Sequence, residues 1–212
     1  MSFDISTPTT GTGAGIGGSD YALSHEVTAG TKVLVFGVNA LYVSGNGATS
    51  AKWDTTAMSV AANKNDSSFC AAIFYLVNPK VGTFNVIAHD DNNAGAAGNS
   101  PKLFAVNLSG EVGTADPVGD LHTGSEDQTF IVEGTLGAIF DTFMGDTIAD
   151  VDVASTIIYA NATIGIADRA SASYRTHSGS NITVNHTADL DFYAGAEFKN
   201  GNDLVTLQMI SL

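Results

Sequence analysis

The sequence predicts an all-β protein, an antiparallel, jelly-roll-like β-sandwich that carries an extended glycine-rich N-terminal arm. Two neighbouring segments place apolar side chains at every second position, as half-buried strands do: Phe74 and Leu76, then Phe84, Val86 and Ala88. Between them, Pro79 lacks an N–H for strand pairing and Gly82 lets the chain reverse, which predicts a hairpin. Turn residues then recur about every 8–12 positions, the spacing typical of sandwiches and jelly rolls.

Further strands are predicted in chain order from the same apolar spacing. They cover residues 21–27, 31–39, 51–55, 57–62, 69–77, 83–89, 102–108, 128–133, 136–143, 155–166, 170–176, 182–188, 191–198 and 204–210. The second of these, TKVLVFGVN, is continuously apolar and suits a central strand. The third and fourth form a short hairpin around Asp54 and Thr55. Residues 90–100, 110–127 and 146–153 are predicted as loops because they are polar and rich in turn residues.

Helix is not expected, because no long segment has helical periodicity, and without crossover helices a parallel sheet is unlikely to form. The predicted core contains a small set of apolar strand residues: Val33, Val35, Phe74, Leu76, Phe84, Val86 and Leu207. The single cysteine, Cys70, lies in the apolar run FCAAIFYLV and is expected to be a small core residue.

The chain of 212 residues fits one sandwich over residues 21–212, preceded by an arm over residues 1–20. The arm contains many glycines: Gly11, Gly13, Gly15, Gly17 and Gly18. We expect it to contact neighbouring subunits or the body of the domain and, because it lacks apolar periodicity, to be dispensable for the core.

Charge and composition exclude several classes of function. The net charge is −14, and nucleic acids or anionic membranes are bound by basic surfaces, so neither is an expected partner. Solubility is the simplest interpretation of this charge, with calcium binding or a salty medium as alternatives. The N-terminal sequence lacks the features of a signal peptide, and no apolar stretch reaches the length of a membrane span. Synthesis without standard export is therefore expected.

The order of these motifs resembles the jelly-roll-like domains of virion structural proteins from tailed bacteriophages. Such domains carry a Leu-x-Asn-Pro-x-x-Gly-Thr turn and a later Ser-Gly segment, matched here by Leu76, Asn78, Pro79, Gly82, Thr83, Ser109 and Gly110. The resemblance covers residues 20–212, and these motifs specify a fold better than a function. One departure is Asp54-Thr55, which stands where relatives often have two glycines.

The resemblance implies a virion protein that assembles in the host cytoplasm and then resides in the virion. A capsid decoration or cement protein is favoured, a homo-oligomer whose partner is the major capsid protein or another virion protein. The alternative is a tail or head-fibre domain that binds host-surface carbohydrate. A bacterial carbohydrate-binding or adhesion module is a further alternative.

No enzyme, cofactor or metal site is predicted. The histidines lack the spacing of metal ligands on one strand or helix: His25, His89, His122, His177 and His186. Two acidic loops could offer oxygen ligands to calcium but are expected to be solvated: Asp90, Asp91, Asn92 and Asn93, and then Asp146, Asp150 and Asp152. No nucleophile elbow or phosphate-binding loop occurs.

Aromatic side chains are the candidates for the alternative, carbohydrate-binding function. Rings exposed on a sandwich can stack on sugars, although aromatic residues in such strands more often belong to the core. The candidates are Trp53, Tyr42, Tyr75, Tyr159, Tyr174 and Tyr193.

Overall fold

The computed structural model describes residues 3–16, 20–41, 48–65, 69–90, 100–124, 127–146, 149–164, 168–188 and 192–201. These residues form antiparallel β-structure. The strands are β1 Phe3–Ile5, β2 Thr9–Thr12, β3 Ala14–Ile16, β4 Asp20–Val27, β5 Val33–Leu41, β6 Ala48–Trp53, β7 Thr56–Ala57, β8 Ser59–Asn65, β9 Phe69–Val77, β10 Gly82–Asp90, β11 Lys102–Gly110, β12 Val118–Gly124, β13 Asp127–Phe130, β14 Gly137–Gly145, β15 Ala149–Asp150, β16 Thr156–Thr163, β17 Arg169–His177, β18 Ile182–Asn185, β19 Thr187–Ala188 and β20 Phe192–Lys199. Within these ranges no helix is long and apolar enough to cross a membrane.

Three sheets pack in layers. The central sheet has the order β1-β11-β5-β9-β8, with β2 also paired to β11. The N-terminal outer sheet has the order β3-β4-β10-β6-β7, and the C-terminal outer sheet has the order β12-β20-β14-β17-β16. The pairs β13–β18 and β15–β19 form a further small layer, called the cover below. The prediction of an all-β antiparallel sandwich is therefore confirmed.

The central sheet is buried on both faces, which explains its continuously apolar strands. In β5, Leu34 and Phe36 face the core shared with the N-terminal outer sheet, around Trp53. The intervening residues Val33 and Val35 face a second core, shared with the C-terminal outer sheet. Because side chains alternate along a strand, one apolar segment supplies both cores.

The C-terminal outer sheet is also covered on its second face. Phe140 of β14 packs towards the central sheet, while its neighbour Ile139 packs towards the cover. The cover contributes Phe130 and Val184 to this third core. Charged residues also lie under the cover, and they form the site described in the next subsection.

The predicted core is confirmed for the residues that the structure describes. Val33, Val35, Phe74 and Val86 have no exposed surface. Two more members are partly buried against the same core, Leu76 and Phe84. Leu207 lies outside the described residues. Cys70 is a buried core residue, as expected.

The predicted hairpin at residues 74–90 is wrong in its pairing. β9 pairs with β5 and β8 in the central sheet, whereas β10 pairs with β4 and β6 in the N-terminal outer sheet. The turn is thus a corner between two layers. Asn78 has a left-handed φ of 50° and Gly82 a φ of 136°, so both ends of the corner use conformations that ordinary residues adopt rarely.

The shorter hairpin is confirmed at its turn, Asp54 and Thr55, where β6 pairs with the two-residue strand β7 and Asp54 has a φ of 53°. Its predicted second arm, residues 57–62, is wrong in its pairing, because most of it belongs to β8. The next strand, β8, leaves that sheet and joins the central one. Two predicted loops contain strands, β12 within residues 110–127 and β15 within residues 146–153. The predicted strand at 204–210 and most of the loop at 90–100 lie outside the described residues.

The N-terminal segment, residues 3–16, is extended as predicted, yet it pairs with strands of its own chain. β1 and β2 pair with β11 at the edge of the central sheet. β3 pairs with β4 at the edge of the N-terminal outer sheet. The segment therefore crosses between two layers and closes the seam between their edges. Gly13 is buried in this seam, so the segment is not separate from the core, contrary to the expectation from its composition.

Substitution of Gly82 by valine tests the corner. The φ of 136° disfavours any L side chain, and a Cβ would lie 2.9 Å from the Phe84 ring. We expect Gly82→Val to lower the free energy of unfolding by about 1–3 kcal/mol, measured by urea denaturation. The control is Thr83→Val, at the exposed next position. An unchanged urea midpoint for Gly82→Val would show that a side chain at position 82 does not strain the corner.

Candidate functional site

The charged residues under the cover form two separate clusters, and the first is centred on Asp141. Asp141 lies on β14 with no exposed surface, although it is an acid in the apolar stretch IFDTFM. Its Oδ1 accepts a hydrogen bond of 2.7 Å from the hydroxyl of Ser173 on β17. The same oxygen lies 3.2 Å from Nε2 of His186, which follows β18.

The ring of His186 is held by a hydrogen bond at one nitrogen and lies close to Asp141 at the other. Its Nδ1 accepts a hydrogen bond of 2.8 Å from the backbone N–H of Asp152. An amide N–H can only donate, so Nδ1 is unprotonated and the ring proton is on Nε2, facing Asp141. The ring also stacks on Phe143, with centroids 4.0 Å apart. His186 therefore fastens the cover to the C-terminal outer sheet.

Ser173, Asp141 and His186 have the composition of a hydrolase triad but not its geometry. In a triad, the histidine lies between the acid and the serine and accepts the proton of the serine. Here the acid lies between the other two, and the hydroxyl of Ser173 donates to Asp141. All three residues are enclosed. The cluster thus has a structural arrangement.

The second cluster joins Glu197 of β20 to His177 at the end of β17. Glu197 Oε1 lies 2.9 Å from His177 Nε2, and both side chains are buried. The carboxylate also accepts backbone hydrogen bonds from Glu133, at 2.8 Å, and from Asp120, at 3.0 Å. Gly119 leaves space for the Glu197 carboxylate, since a Cβ at position 119 would overlap Glu197 Oε2. Glu197 thereby connects three parts of the chain.

A half-exposed pair lies beside it on β12. Asp120 Oδ2 accepts hydrogen bonds from His122, at 2.8 Å, and from the backbone N–H of Ile131, at 2.7 Å. Partial burial alone would raise the pKa of Asp120, but these hydrogen bonds outweigh it and hold the pKa below its ordinary value. The pair fixes β12 to the segment after β13.

A polar network also lies between the central and the C-terminal outer sheets. Asn39 of β5 accepts hydrogen bonds from Thr142 and from the hydroxyl of Tyr159, the latter at 2.6 Å. Its amide donates to the carbonyl of Phe143, at 3.3 Å. Burial raises the pKa of Tyr159, which keeps this hydroxyl protonated and donating at neutral pH. The network fixes the relative position of the two sheets.

His25 occupies the seam closed by the N-terminal segment. Its Nδ1 is 2.9 Å from Thr9 Oγ1 of β2, and its Nε2 is 3.0 Å from Asn107 Oδ1 of β11. Burial lowers the pKa of His25, and the hydrogen bond with Asn107 offsets only part of this effect. His25 itself belongs to β4, so it connects both layers to the segment.

A cleft of about 610 Å³ lies where β11 and β20 end. Lys199 is on its wall and binds the carboxylates of Glu133, at 2.6 Å, and Asp116, at 3.1 Å. Burial lowers the pKa of Lys199, but the two carboxylates outweigh it and raise the pKa above its ordinary value. Lys199 thus joins two carboxylates that line the cleft.

The predicted acidic loops do not converge on a metal site within the described ranges. Asp150 accepts a hydrogen bond from Asn161, and Asp152 accepts backbone hydrogen bonds from Ala154 and Asn185, each at 2.8 Å. Partial burial would raise the pKa of Asp152, but these bonds and nearby Arg175 lower it. Asp146 is exposed, and Asp91, Asn92 and Asn93 lie outside the described residues.

The five histidines divide into two groups. His25, His177 and His186 are buried and bind polar partners, as described above. His122 and His89 are more exposed, and His89 lies 2.5 Å from Asp20. The prediction from sequence considered the histidines only as metal ligands and missed the two buried acid–histidine pairs. The available signal was an isolated acid in each of two apolar strands, Asp141 and Glu197.

The aromatic candidates for sugar stacking are largely enclosed. Trp53 has no exposed surface and donates a hydrogen bond of 3.0 Å to the carbonyl of Lys80. Tyr193 is buried as well. The rings of Tyr75, Tyr159 and Tyr174 pack partly buried against the second core, and Tyr42 lies outside the described residues. The interpretation of Trp53 as a core residue is therefore confirmed, and the alternative that its ring stacks on carbohydrate is wrong.

Comparison with known proteins does not assign this chain to a group. No protein-family model, no curated protein and no solved structure matches it.

Proposed function

We propose that the protein is a virion structural protein of a tailed bacteriophage, and that it binds the capsid surface as a decoration protein. The observation that carries the proposal is the corner at residues 78–82. Its Asn-Pro-x-x-Gly sequence resembles the turn of phage jelly-roll domains, and it joins two core sheets through Asn78 and Gly82 at positive φ.

The use of charged side chains within the fold also supports a binding protein. The acid–histidine pairs of Asp141 and Glu197 are enclosed, and each fastens separate strands to one another. They hold strands of the fold together, which suits a protein whose function is structural. The net charge of −14 makes copies repel at a distance, so attachment to a particle would depend on short-range contacts.

Exposed apolar residues indicate which half of the chain makes these contacts. Six large apolar residues are exposed in the described ranges, and four of them follow residue 118: Val60, Val81, Leu121, Ile131, Val153 and Ile157. Ile157 lies on β16, an edge strand of the C-terminal outer sheet. We therefore place the capsid-binding surface on the C-terminal half.

Co-sedimentation tests the proposal. The chain is co-expressed with the major capsid protein encoded by the same phage genome, and its occupancy on sedimented particles is measured. We expect binding by the wild-type chain and reduced occupancy for Ile157→Asp. The matched control is Val81→Asp, an equally exposed valine on the corner between the other two sheets, which should bind as wild type does.

Two outcomes contradict the proposal. Occupancy no higher than that of an unrelated β-protein would exclude capsid decoration. Equal losses for Ile157→Asp and Val81→Asp would exclude the C-terminal half as the specific surface. If the chain does not bind capsids but binds to a glycan array, the carbohydrate-binding alternative is favoured instead.

A further inference from the structure

We propose that the N-terminal segment, residues 3–16, is a pH-dependent clasp, which is closed at neutral pH and opens transiently more often when His25 becomes protonated. Release would uncover the edge of β11 in the central sheet and the edge of β4 in the N-terminal outer sheet. The proposal is independent of the proposed function and goes beyond it.

His25 lies between three elements of the fold. It projects from β4, contacts Thr9 of β2 through Nδ1, and contacts Asn107 of β11 through Nε2. Asn107 is itself bound to the segment, because its N–H donates to Ser6 Oγ and its carbonyl accepts from the Ser6 N–H, both at 3.0 Å. The ring of His25 therefore lies where the segment and both sheets meet.

The contacts of His25 require a neutral ring with its proton on Nε2. The Asn107 amide nitrogen donates to the carbonyl of Glu26, at 2.9 Å, so its oxygen faces His25. Nε2 must then carry the proton that binds this oxygen, and Nδ1 accepts from the Thr9 hydroxyl in the neutral ring. A second proton would go to Nδ1 and would reverse the hydrogen bond to the segment.

The surroundings of His25 are mostly apolar or uncharged and disfavour a charged ring. Trp53 of β6 presents an edge contact, with centroids 6.1 Å apart, and Phe84 of β10 lies directly opposite His25 in the sheet. From β2 and β11 the ring meets the uncharged Thr9 and Asn107. Glu26, the next residue in β4, favours the charged ring, but burial has the larger effect and lowers the pKa.

The direction of the pH effect follows from linkage. His25 has a lowered pKa in the closed state and its ordinary value of about 6.5 when released, so the released state binds the proton more readily. The closed state is therefore most populated above a pH of about 6.5, and its population decreases as the pH falls towards the lowered pKa. One proton changes the closing equilibrium by at most about tenfold per pH unit.

Amide hydrogen exchange, measured by mass spectrometry between about pH 7.5 and 5 and corrected for intrinsic rates, tests the clasp. We expect the protection of residues 3–16 to fall by up to about tenfold per pH unit below about pH 6.5. Protection of β14 should persist. His25→Gln keeps a donor and an acceptor without titrating, so its protection should not change with pH. The control His122→Gln, on β12, should behave as wild type does.

Three results would overturn the proposal: the same pH dependence in His25→Gln, equal losses of protection in residues 3–16 and β14, or no loss in the wild type. If His25→Gln fails to fold, NMR titration of the His25 ring in the wild-type chain decides the matter. The midpoint of ring protonation should then coincide with the loss of protection in residues 3–16, and a separate midpoint would exclude His25 as the trigger.

Discussion

Deletion of residues 3–16 is expected to prevent stable folding of the two N-terminal layers. The segment pairs with β11 at Phe3–Ile5 and Thr9–Thr12, and with β4 at Ala14–Ile16. Each net hydrogen bond contributes about 0.5–1.5 kcal/mol to the free energy of unfolding. Loss of the segment therefore lowers this free energy by about 5 kcal/mol or more, which is comparable with the whole stability of many domains. Loss of a cooperative thermal transition, followed by Trp53 fluorescence, measures the effect.

A pair of point substitutions controls for the length of the deletion. A Cβ at Gly13 would lie 3.0–3.1 Å from Tyr21, Leu103 and Pro101, so Gly13→Val should weaken the closure of the seam. The matched control is Thr10→Val, at an exposed position of β2. A truncated chain that unfolds as cooperatively as wild type would contradict this account and would support a separate arm.

Removal of the Glu197 carboxylate should destabilise the C-terminal half strongly. Glu197→Ala leaves His177 buried without its partner and leaves two backbone N–H groups without their acceptor, those of Asp120 and Glu133. Breaking a buried pair in this way costs about 3–5 kcal/mol. Guanidinium denaturation, followed by far-ultraviolet circular dichroism, measures the loss.

Two further variants identify the cause of that loss. Glu197→Gln keeps the shape and one acceptor oxygen, so it should destabilise less than Glu197→Ala. Glu133→Ala removes an exposed carboxylate that pairs with Lys199, and we expect a change of at most about 1 kcal/mol. If Glu197→Ala were as mild as Glu133→Ala, the buried pair would not be a structural brace.

The fold class and most strand positions could be predicted because they depend on local patterns. Apolar spacing identified β4, β9, β10 and β20, a continuous apolar run identified β5, and turn residues marked the corner at Gly82. Pairing could not be predicted from these patterns. Asn78-Pro79 and Gly82 reverse the chain equally well within a hairpin or between two sheets, and the choice depends on which distant strands compete for each edge.

The candidate site was harder to predict than the fold. Asp141 and Glu197 stand alone among apolar neighbours, which suggests buried acids, but their histidine partners are distant in sequence: His186 and His177. The N-terminal segment was misjudged for a similar reason. Its glycines resemble a flexible linker, whereas Gly13 is needed for close approach to three side chains.

The two-faced central sheet has a consequence for synthesis on the ribosome. Every strand of the central and N-terminal outer sheets precedes residue 111, and every strand of the C-terminal outer sheet follows residue 117. A nascent chain can complete one sandwich while the apolar face around Val35, Ile73 and Val106 still awaits its partner sheet. Translation proceeds at about 5–20 residues per second, so this face stays uncovered for several seconds. During that interval the half-made protein is at its most vulnerable to aggregation, and it is then that chaperones would be needed.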